Sequence, residues 1–465
     1  MMRLDVLRQG VAYRSMETLP VPHVRTGETV AELGFANAGL IRRDARQFAK
    51  AKATLEALDT ETLLGRIETA GVLFAEAELS VGDQMQGPQD YIRSVSATTG
   101  IPEVLCAKNV EKIRAACTQV RASLSGLTGG IEPGAFDTGL TATGDPVQTD
   151  AHGLGAVLPS NAPGVHALWI PVIAMKIPVA LKPGGSEPWT PYRLAAALSQ
   201  AGVPKEAVSI YPTDHRGGDA ILAHHDRGMV FGQTATVAPY VGNPAISIHG
   251  PGYSKIWVGE DRVDEIESHI DLIVESVLDN AGRSCINAST LVVPRGGRDI
   301  AHAIAERLGS VKARPLDDPA AALAAFSSRA GAEQMSAHIH ELAHDGVVDC
   351  TASFGPRVQE SDGLYFMRPT VLWCPDNAHP LARTEYPFPF VSVVEVSEES
   401  VASWVGDTLV LSALTDNPRV RQACSESPLI DRLYMGGEKT TVVDWSRPYQ
   451  GNLFELLYQR SRGSV

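Results

Sequence analysis

Strand-like and helix-like hydrophobic patterns alternate along the middle of the chain. Short apolar runs of strand length are separated by segments whose apolar residues recur every three or four positions. The predicted strands are Gly155–Leu158, Val179–Lys182, Val208–Tyr211 and Met229–Phe231, and the predicted helices between them are Val165–Ile177, Pro191–Ala201 and Gly218–His225. Because each connection is too short for anything but a helical crossover, the pattern predicts an α/β fold with a parallel, doubly wound sheet.

Loops of small and polar residues follow the ends of three of these strands. They are Pro159-Ser160-Asn161, Lys182-Pro183-Gly184-Gly185 and Gly232-Gln233-Thr234. Ligands bind at the carboxyl ends of strands in doubly wound sheets, so we expect a binding site there. No G-x-G-x-x-G segment follows a strand, so the ordinary dinucleotide fingerprint is missing.

The pattern changes outside this sheet. Residues 1–135 are predicted to be mostly helical, with helices over Thr60–Leu79 and Val110–Leu124, and to form one domain with residues 153–250. Residues 251–430 are predicted to form a second α/β domain. Its predicted helices are Arg262–Leu278 and Asp299–Leu308, and its predicted strands are Leu291–Pro294, Val391–Val396 and Leu409–Leu414. Residues 136–152 are rich in Thr, Gly and Asp and predict a hairpin or an excursion from the first domain. Residues 440–465 are expected to pack elsewhere than on the second domain.

Composition narrows the classes of function. The chain has 465 residues, enough for two or three domains, and a net charge of −14 that argues against a nucleic-acid partner. Its six cysteines include no C-x-x-C pair, which argues against a cysteine zinc site. Six cysteines are also sparse for a disulfide scaffold in a chain of this length, which indicates reduced thiols and a cytoplasmic setting. No secretory signal is visible at the start. Two uncharged stretches, Ala151–Met175 and Gly228–Ser254, contain prolines and polar residues that argue against a membrane span.

Cys285 is the first candidate for chemistry. It lies in a loop of small residues after a long predicted helix, next to Arg283. A nearby cation would favour the thiolate, which attacks carbonyl carbon well. A structural thiol is the alternative interpretation.

Six segments stand out, in order, between about Gly155 and Leu414. They are Pro159-Ser160-Asn161-Ala162-Pro163, Ala180-Leu181-Lys182-Pro183, Phe231-Gly232-Gln233-Thr234, Gly282-Arg283-Ser284-Cys285, Gly363-Leu364-Tyr365-Phe366-Met367-Arg368-Pro369-Thr370-Val371 and Glu385-Tyr386-Pro387-Phe388-Pro389. In this order they resemble the aldehyde dehydrogenase family. The resemblance implies a Rossmann-like cofactor domain, a catalytic domain over 251–430, and an oligomerisation element from 136–152 and 440–465. It also implies a homodimer or homotetramer.

The same resemblance implies a role for each matched residue. Cys285 would attack an aldehyde, while the Asn161 amide and the Cys285 backbone N–H would hold the oxyanion, a contact worth roughly 3–4 kcal/mol in acyl-transfer sites. NAD or NADP would take the hydride and leave a thioester. The expected cofactor contacts are Ser160, Lys182, Gly185, Gly232, Gln233 and Glu385.

Two positions depart from the family pattern. His249 falls where the family has a glutamate that activates water to release the thioester. Histidine can act as a general base, or it can simply pack at a strand end. Relatives that pass the acyl group to coenzyme A lack that glutamate, so a CoA-acylating enzyme or acyl-CoA reductase acting on an acyl thioester is the alternative. Gly185 falls where NAD-preferring relatives have a glutamate, so both NAD and NADP stay open.

Three other functions compete with an aldehyde dehydrogenase. His340-Glu341-Leu342-Ala343-His344 matches the H-E-x-x-H zinc-protease pattern, which requires two histidines on one helix face. Gly346 comes one place too early for the longer form of that motif, and no third ligand is evident, so no metal is expected. A catalytically silent relative and a thiol-dependent esterase also remain.

Overall fold

The computed structural model describes residues 1–448 and 451–460, and the chain forms two compact units. The first unit contains Met1–Thr98, Cys106–Gly250 and the chain from Asp444 onward, and the second contains Thr99–Leu105 and Pro251–Val443. Thr99–Leu105 belongs to the second unit because its backbone forms hydrogen bonds with residues of that unit. The Glu103 N–H, for example, donates to the Leu316 carbonyl at 2.8 Å.

A seven-stranded sheet forms the centre of the first unit. Its strands lie in the order Ile246–His249, Arg227–Phe231, Leu154–Val157, Val179–Lys182, Val208–Ile210, Val6–Arg8 and Val11–Tyr13. The first five are parallel, and the last two add antiparallel at one edge. The strand Val179–Lys182 is buried up to its last residue, as expected of a central strand covered on both faces. The predicted α/β sheet is confirmed.

The strand order reverses inside this sheet. From Leu154–Val157 the chain moves first to one side, through Val179–Lys182 and Val208–Ile210, and then to the other side, beginning with Arg227–Phe231. The switch point therefore lies between Leu154–Val157 and Arg227–Phe231. The loops that follow these two strands contain Asn161 and Gln233.

The N-terminal segment corrects one prediction. Residues 1–34 form short strands instead of helix, namely Met2–Leu4, Val6–Arg8, Val11–Tyr13, Thr18–Pro22 and Thr29–Gly34. Strands of three to six residues are too short to show a clear period of two, and some of their pairing partners are distant in sequence. Met2–Leu4, for instance, pairs with part of Thr29–Gly34.

Helices cover the sheet of the first unit. The α-helices are Ala38–Ala45, Phe48–Glu56, Thr60–Glu76, Pro88–Thr99, Glu103–Thr118, Val120–Thr128, Ala135–Thr138, Ile170–Ala174, Trp189–Gln200, His215–His224, Thr234–Val237 and Leu453–Leu457, and 3₁₀ turns span Pro163–Leu168, Lys205–Ala207 and Ala238–Tyr240. The helix predicted over Thr60–Leu79 ends at Glu76, and a hairpin of Leu79–Val81 with Gln84–Gln86 follows. The single helix predicted over Val110–Leu124 is divided between Glu103–Thr118 and Val120–Thr128.

The second unit is built on another seven-stranded sheet. Its order is Val348–Asp349, Thr370–Cys374, Phe390–Glu395, Thr290–Val293, Lys255–Val258, Thr408–Leu414 and Ile430–Met435, with only the first strand antiparallel to its neighbour. Its α-helices are Ile270–Leu278, Gly297–Gly309, Arg329–Leu342, Val401–Trp404 and Pro418–Ser425. A three-stranded sheet contains Ala325–Phe326, Leu364–Met367 and Val358–Ser361. The 3₁₀ turns are Val263–His269, Asp279–Gly282, Ala352–Phe354 and Pro380–Arg383.

Of the segments predicted to form an oligomerisation element, residues 136–152 and the chain from Asp444 belong to the first unit, whereas residues 440–443 belong to the second. Val147–Gln148 pairs antiparallel with Gln459–Arg460, and Leu140 bridges to Pro146 as in a hairpin. Residues 449–450 and 461–465 of the predicted element lie outside the described residues. Within the described ranges, no helix is both long and apolar enough to cross a bilayer.

Candidate active site

The loop 159–161 lies at the switch point of the first unit, and the loop 183–186 follows the neighbouring strand Val179–Lys182. These two loops, called the switch-point loops below, contact each other. The Ser186 N–H donates to the Ser160 hydroxyl oxygen at 3.2 Å. A Cβ on Gly184 would lie only 2.4 Å from the Pro159 carbonyl oxygen, so glycine permits this approach. Asn161 is exposed beside them. The geometry thus joins two of the loops that the sequence predicts to bind a cofactor.

Lys182 ends its strand half-buried near Asp214. Burial lowers the pKa of its ammonium, and the Asp214 carboxylate opposes that shift. Gly185, three residues further on, is exposed, and a Cβ there would meet nothing within 4 Å. The space above Gly185 is therefore open, and its backbone can approach a ligand.

Gly232, Gln233 and His249 lie at the other side of the switch point. The Gly232 N–H donates to the His249 carbonyl at 3.1 Å, and Gln233 is exposed. The His249 ring is buried and stacks on Phe231 with 4.3 Å between centroids, while its Nε2 lies 3.0 Å from the Ser247 hydroxyl. These contacts hold the ring in one orientation.

In the second unit, a strained turn carries Cys285. The helix Ile270–Leu278 ends, and Asn280 and Ala281 adopt φ values of 51° and 56°, which non-glycine residues rarely adopt. Gly282 has φ 69°, and a Cβ there would lie 2.4 Å from the Pro389 nitrogen. The thiol that follows is half-buried.

Two polar side chains hold this turn. Asn287 accepts from the Ser284 N–H at 2.9 Å and donates to the Ser276 and Asp279 carbonyls at 3.0 and 2.8 Å. The Ser254 hydroxyl donates to the Cys285 carbonyl at 2.8 Å. The sequence interpretation missed both residues. A polar amide among the small residues after Cys285 was the available signal for Asn287.

Arg283, two residues before Cys285, contacts two backbone carbonyls and an aromatic ring of the second unit. Its guanidinium donates to the carbonyls of Thr99 and Ala325 and lies over the Phe326 ring, 5.9 Å from the centroid. These contacts fix the turn to the strand Ala325–Phe326. The guanidinium therefore stabilises the position of the turn that carries Cys285.

Glu385 and Lys255 lie near the same turn, and burial shifts the pKa of each. Glu385 accepts from the Gly252 and Tyr253 N–H groups, both at 2.9 Å, while burial raises the pKa of its carboxyl to about 7. Lys255 donates to the Tyr253 carbonyl and the Thr408 hydroxyl, both at 2.7 Å, and burial lowers its pKa to about 7. Titratable groups shifted toward neutrality are frequent in active sites. The sequence interpretation missed Lys255.

The zinc-protease motif does not form. The helix ends at Leu342, so His344 lies beyond it and does not share a helix face with His340. His344 instead approaches Asp345 and His379, with ligand atoms within 4.8 Å of one another. The Nδ1 atom of His379 accepts from the Leu381 N–H at 3.1 Å, which places its proton on the other nitrogen and opposes metal binding there.

Comparison with known proteins gives one family. The model of the aldehyde dehydrogenase family matches residues 88–408. The chain is 27% identical over 367 residues to N-succinylglutamate 5-semialdehyde dehydrogenase 2 of Caulobacter vibrioides, covering 72% of this chain and 70% of that protein. It is 27% identical over 289 residues to aminoacetaldehyde dehydrogenase of Pseudomonas aeruginosa, covering 57% and 55%. The structure of 3,6-anhydro-L-galactose dehydrogenase superposes with a TM-score of 0.79 at 15% identity, covering 98% of each chain.

Proposed function

The chain belongs to the aldehyde dehydrogenase family and is an NAD(P)-dependent aldehyde dehydrogenase, and within that activity we propose that Cys285 is the nucleophile. One observation carries this assignment: the turn before Cys285 is strained at two non-glycine residues and held by Asn287 and Ser254. A strained, well-supported turn that ends in a half-buried thiol is typical of a functional site.

The proposed mechanism begins with attack of the Cys285 sulfur on the aldehyde carbon. The carbonyl oxygen becomes an oxyanion, for which the Asn161 side chain and the Cys285 backbone N–H are the proposed donors. A bound NAD or NADP would supply the hydride acceptor, so that a thioester would remain on Cys285. Lys182, Gly185, Gly232 and their neighbours Ser160 and Gln233 are the proposed coenzyme contacts. Open space at Gly185 and the switch-point loops fit such a ligand.

Glu385 is the sixth proposed coenzyme contact, at the nicotinamide ribose. Its Oε2 already accepts two backbone N–H groups, which orient the carboxyl. With a pKa raised to about 7, the carboxyl is divided between its protonated and ionised forms near neutral pH.

The Cys285 assignment is tested by replacing this thiol. We expect Cys285→Ser to lower coenzyme-dependent turnover at least about a thousandfold and to remove the covalent acyl-enzyme seen by intact-protein mass spectrometry. Cys424→Ala, a buried cysteine on the helix Pro418–Ser425, is the matched control and should retain activity. Turnover of Cys285→Ser at the wild-type rate contradicts the assignment.

Release of the thioester has two candidate routes. In the first, His249 acts as the base that activates water. In the second, coenzyme A takes the acyl group, an alternative favoured by the buried, stacked ring of His249. Turnover measured with and without coenzyme A separates them, and His249→Gln should abolish only the turnover that needs no coenzyme A.

Coenzyme choice and assembly complete the proposal. Gly185 has no carboxylate that would repel a 2′-phosphate, so we propose that NADP is accepted as well as NAD. The ratio of the kcat/KM values for the two coenzymes tests this.

We also propose a homodimer or homotetramer formed through the paired segments near Val147–Gln148, to be measured by light scattering. A cytoplasmic location is supported by the absence of disulfides within the described ranges.

A further inference from the structure

A fully buried polar network lies beneath the switch-point loops of the first unit. His166 and Glu187 both have 0% exposure, and the His166 Nε2 lies 2.8 Å from a Glu187 carboxylate oxygen. The other carboxylate oxygen accepts from the Thr190 N–H at 2.9 Å and its hydroxyl at 2.7 Å. The Tyr91 hydroxyl lies 2.7 Å from the Thr190 oxygen. Neither His166 nor Glu187 belongs to the proposed coenzyme contacts.

The donors in this network fix the direction of each hydrogen bond. The Trp169 indole N–H can only donate, and it lies 3.2 Å from the His166 Nδ1. Nδ1 must therefore accept, so the His166 proton is on Nε2 and is donated to Glu187. Because the Thr190 hydroxyl donates to Glu187, Tyr91 must donate to Thr190. Every described contact has one donor and one acceptor.

This network joins the two segments that carry the switch-point loops. His166 lies in the turn Pro163–Leu168, which begins two residues after Asn161. Glu187 ends the loop that follows Lys182, and its carboxylate accepts at the N-terminal end of the helix Trp189–Gln200, where negative charge is favoured. The pair therefore connects the chain just after one loop to the chain at the end of the other.

Nearby contacts reinforce the same connection. The Thr98 hydroxyl lies 2.7 Å from the Ser186 carbonyl and accepts from the Trp189 indole at 2.9 Å. The Ser186 N–H bonds to Ser160 across the loops. The loop 183–186 is thus held through both the N–H and the carbonyl of Ser186, the residue before Glu187.

We propose that His166 and Glu187 are positioning residues that hold the loop 183–186 against the loop 159–161 and thereby set coenzyme affinity. This inference rests on the proposed coenzyme site. A buried ion pair or charged hydrogen bond is seldom more stabilising than well-packed apolar residues, whereas its directional bonds fix geometry. Tight coenzyme binding requires both loops in one arrangement. In enzyme sites, misplacing a bound group by about 1 Å can lower the reaction rate about a hundredfold.

The test compares His166→Leu with His166→Gln. Leucine fills the space but donates nothing to Glu187, whereas the glutamine amide can replace the Nε2–H donor. We expect His166→Leu to raise the Kd of NAD or NADP, measured by calorimetry, and the coenzyme KM about tenfold. The aldehyde KM should change less than about twofold, and His166→Gln should recover most of the coenzyme affinity.

Asp44→Asn is the matched control. Asp44 is a buried carboxylate of the first unit that accepts from Arg8 at 2.6 Å on both oxygens, and it belongs to no switch-point loop. It should lower the melting temperature without changing coenzyme affinity. If His166→Leu does not fold, Thr190→Val, which removes only the hydroxyl bonds, should show a smaller rise in coenzyme Kd.

Lys182→Ala distinguishes failure of this inference from failure of the proposed coenzyme site. Weaker coenzyme binding in Lys182→Ala, with wild-type binding in His166→Leu or in its substitute Thr190→Val, overturns the positioning role alone. Unchanged coenzyme binding in Lys182→Ala overturns the coenzyme site and the positioning role together. Equal loss of coenzyme affinity in His166→Gln and His166→Leu also contradicts the proposal, because the restored donor would then have no effect.

Discussion

At the scale of single residues, Lys255 and Glu385 show how burial changes ionisation in the second unit. Lys255 is 2% exposed, and its ammonium donates to the Tyr253 and Asp407 carbonyls and to the Thr408 hydroxyl, which carry no compensating charge. Removing the charge from water therefore dominates, and the Lys255 pKa falls from 10.5 to about 7. Glu385 shifts the opposite way for the same reason.

Lys255 should make stability increase with pH above neutrality. Between about pH 7 and pH 10.5 the unfolded lysine binds its proton while the folded lysine releases it, so the free energy of unfolding rises with pH. We expect the wild type to gain about 2 kcal/mol relative to Lys255→Met between pH 7 and pH 9, as measured by urea unfolding.

Lys50→Met, at an exposed lysine, is the control for this comparison. The difference between wild type and Lys50→Met should stay constant across the same pH range. A constant difference for Lys255→Met as well would show that the buried ammonium keeps an ordinary pKa.

Single residues also mark what the sequence does not reveal. Motifs predicted Asn161, Lys182, Gly232, Gln233 and Cys285. In the first unit, Asn161 lies in a switch-point loop, Lys182 ends its strand, and Gly232 and Gln233 follow the strand Arg227–Phe231. The hydrogen bonds of Arg283, by contrast, are accepted by the carbonyls of Thr99 and Ala325. These residues are distant from Arg283 in sequence, and no sequence pattern identifies them. Motifs identify reacting groups, whereas supporting groups are defined by contacts that arise only on folding.

At the scale of elements, regular periodicity predicted the central strands well. Val179–Lys182 has the predicted bounds, and the strand predicted at Met229–Phe231 begins two residues earlier, at Arg227. The helix Arg329–Leu342 shows the opposite case. Its residues are compatible with helix through His344, but Ala343 leaves the helical region at ψ 67°. Helix ends depend on local backbone geometry that hydrophobic spacing does not encode.

Gly184 provides a test of the contact between the two loops. A Cβ there would lie 2.4 Å from the Pro159 carbonyl oxygen and 2.5 Å from the Ser160 hydroxyl, so Gly184→Ala must push the loops apart. We expect a coenzyme KM about tenfold higher in steady-state kinetics, with the aldehyde KM little changed.

Gly65→Ala is the matched control for Gly184→Ala. Gly65 lies inside the helix Thr60–Glu76, and a Cβ there would meet nothing within 4 Å. This substitution should leave kinetics unchanged and stabilise the protein by about 0.5–1 kcal/mol, since alanine favours helix over glycine. Equal coenzyme KM values for both variants would contradict the loop contact.

At the scale of the whole molecule, the chain leaves the first unit after Gly250 and returns to it from Asp444. Sequence composition could indicate that the C-terminal stretch packs away from the second unit, but not its partners. Those partners are far apart in sequence: Asn452 donates to the Leu127 carbonyl at 2.9 Å, and the Tyr458 hydroxyl donates to the Met175 carbonyl at 2.6 Å. The returning segment therefore closes a fold whose other parts end about two hundred residues earlier.

Phe454 tests how much the first unit depends on that return. Its ring is 2% exposed, stacks on Tyr458 with 5.2 Å between centroids, and meets the Phe136 ring edge-on at 6.2 Å. Phe454→Ala should cost about 3–5 kcal/mol, because it leaves a cavity among these rings. Scanning calorimetry should show a lower melting temperature for the first unit, and light scattering should show loss of the proposed oligomer. Met85→Ala, at a side chain 55% exposed in the same unit, should change neither quantity. An unchanged melting temperature in Phe454→Ala would mean that the C-terminal segment is only loosely attached, and the element proposed for oligomerisation would lose its structural basis.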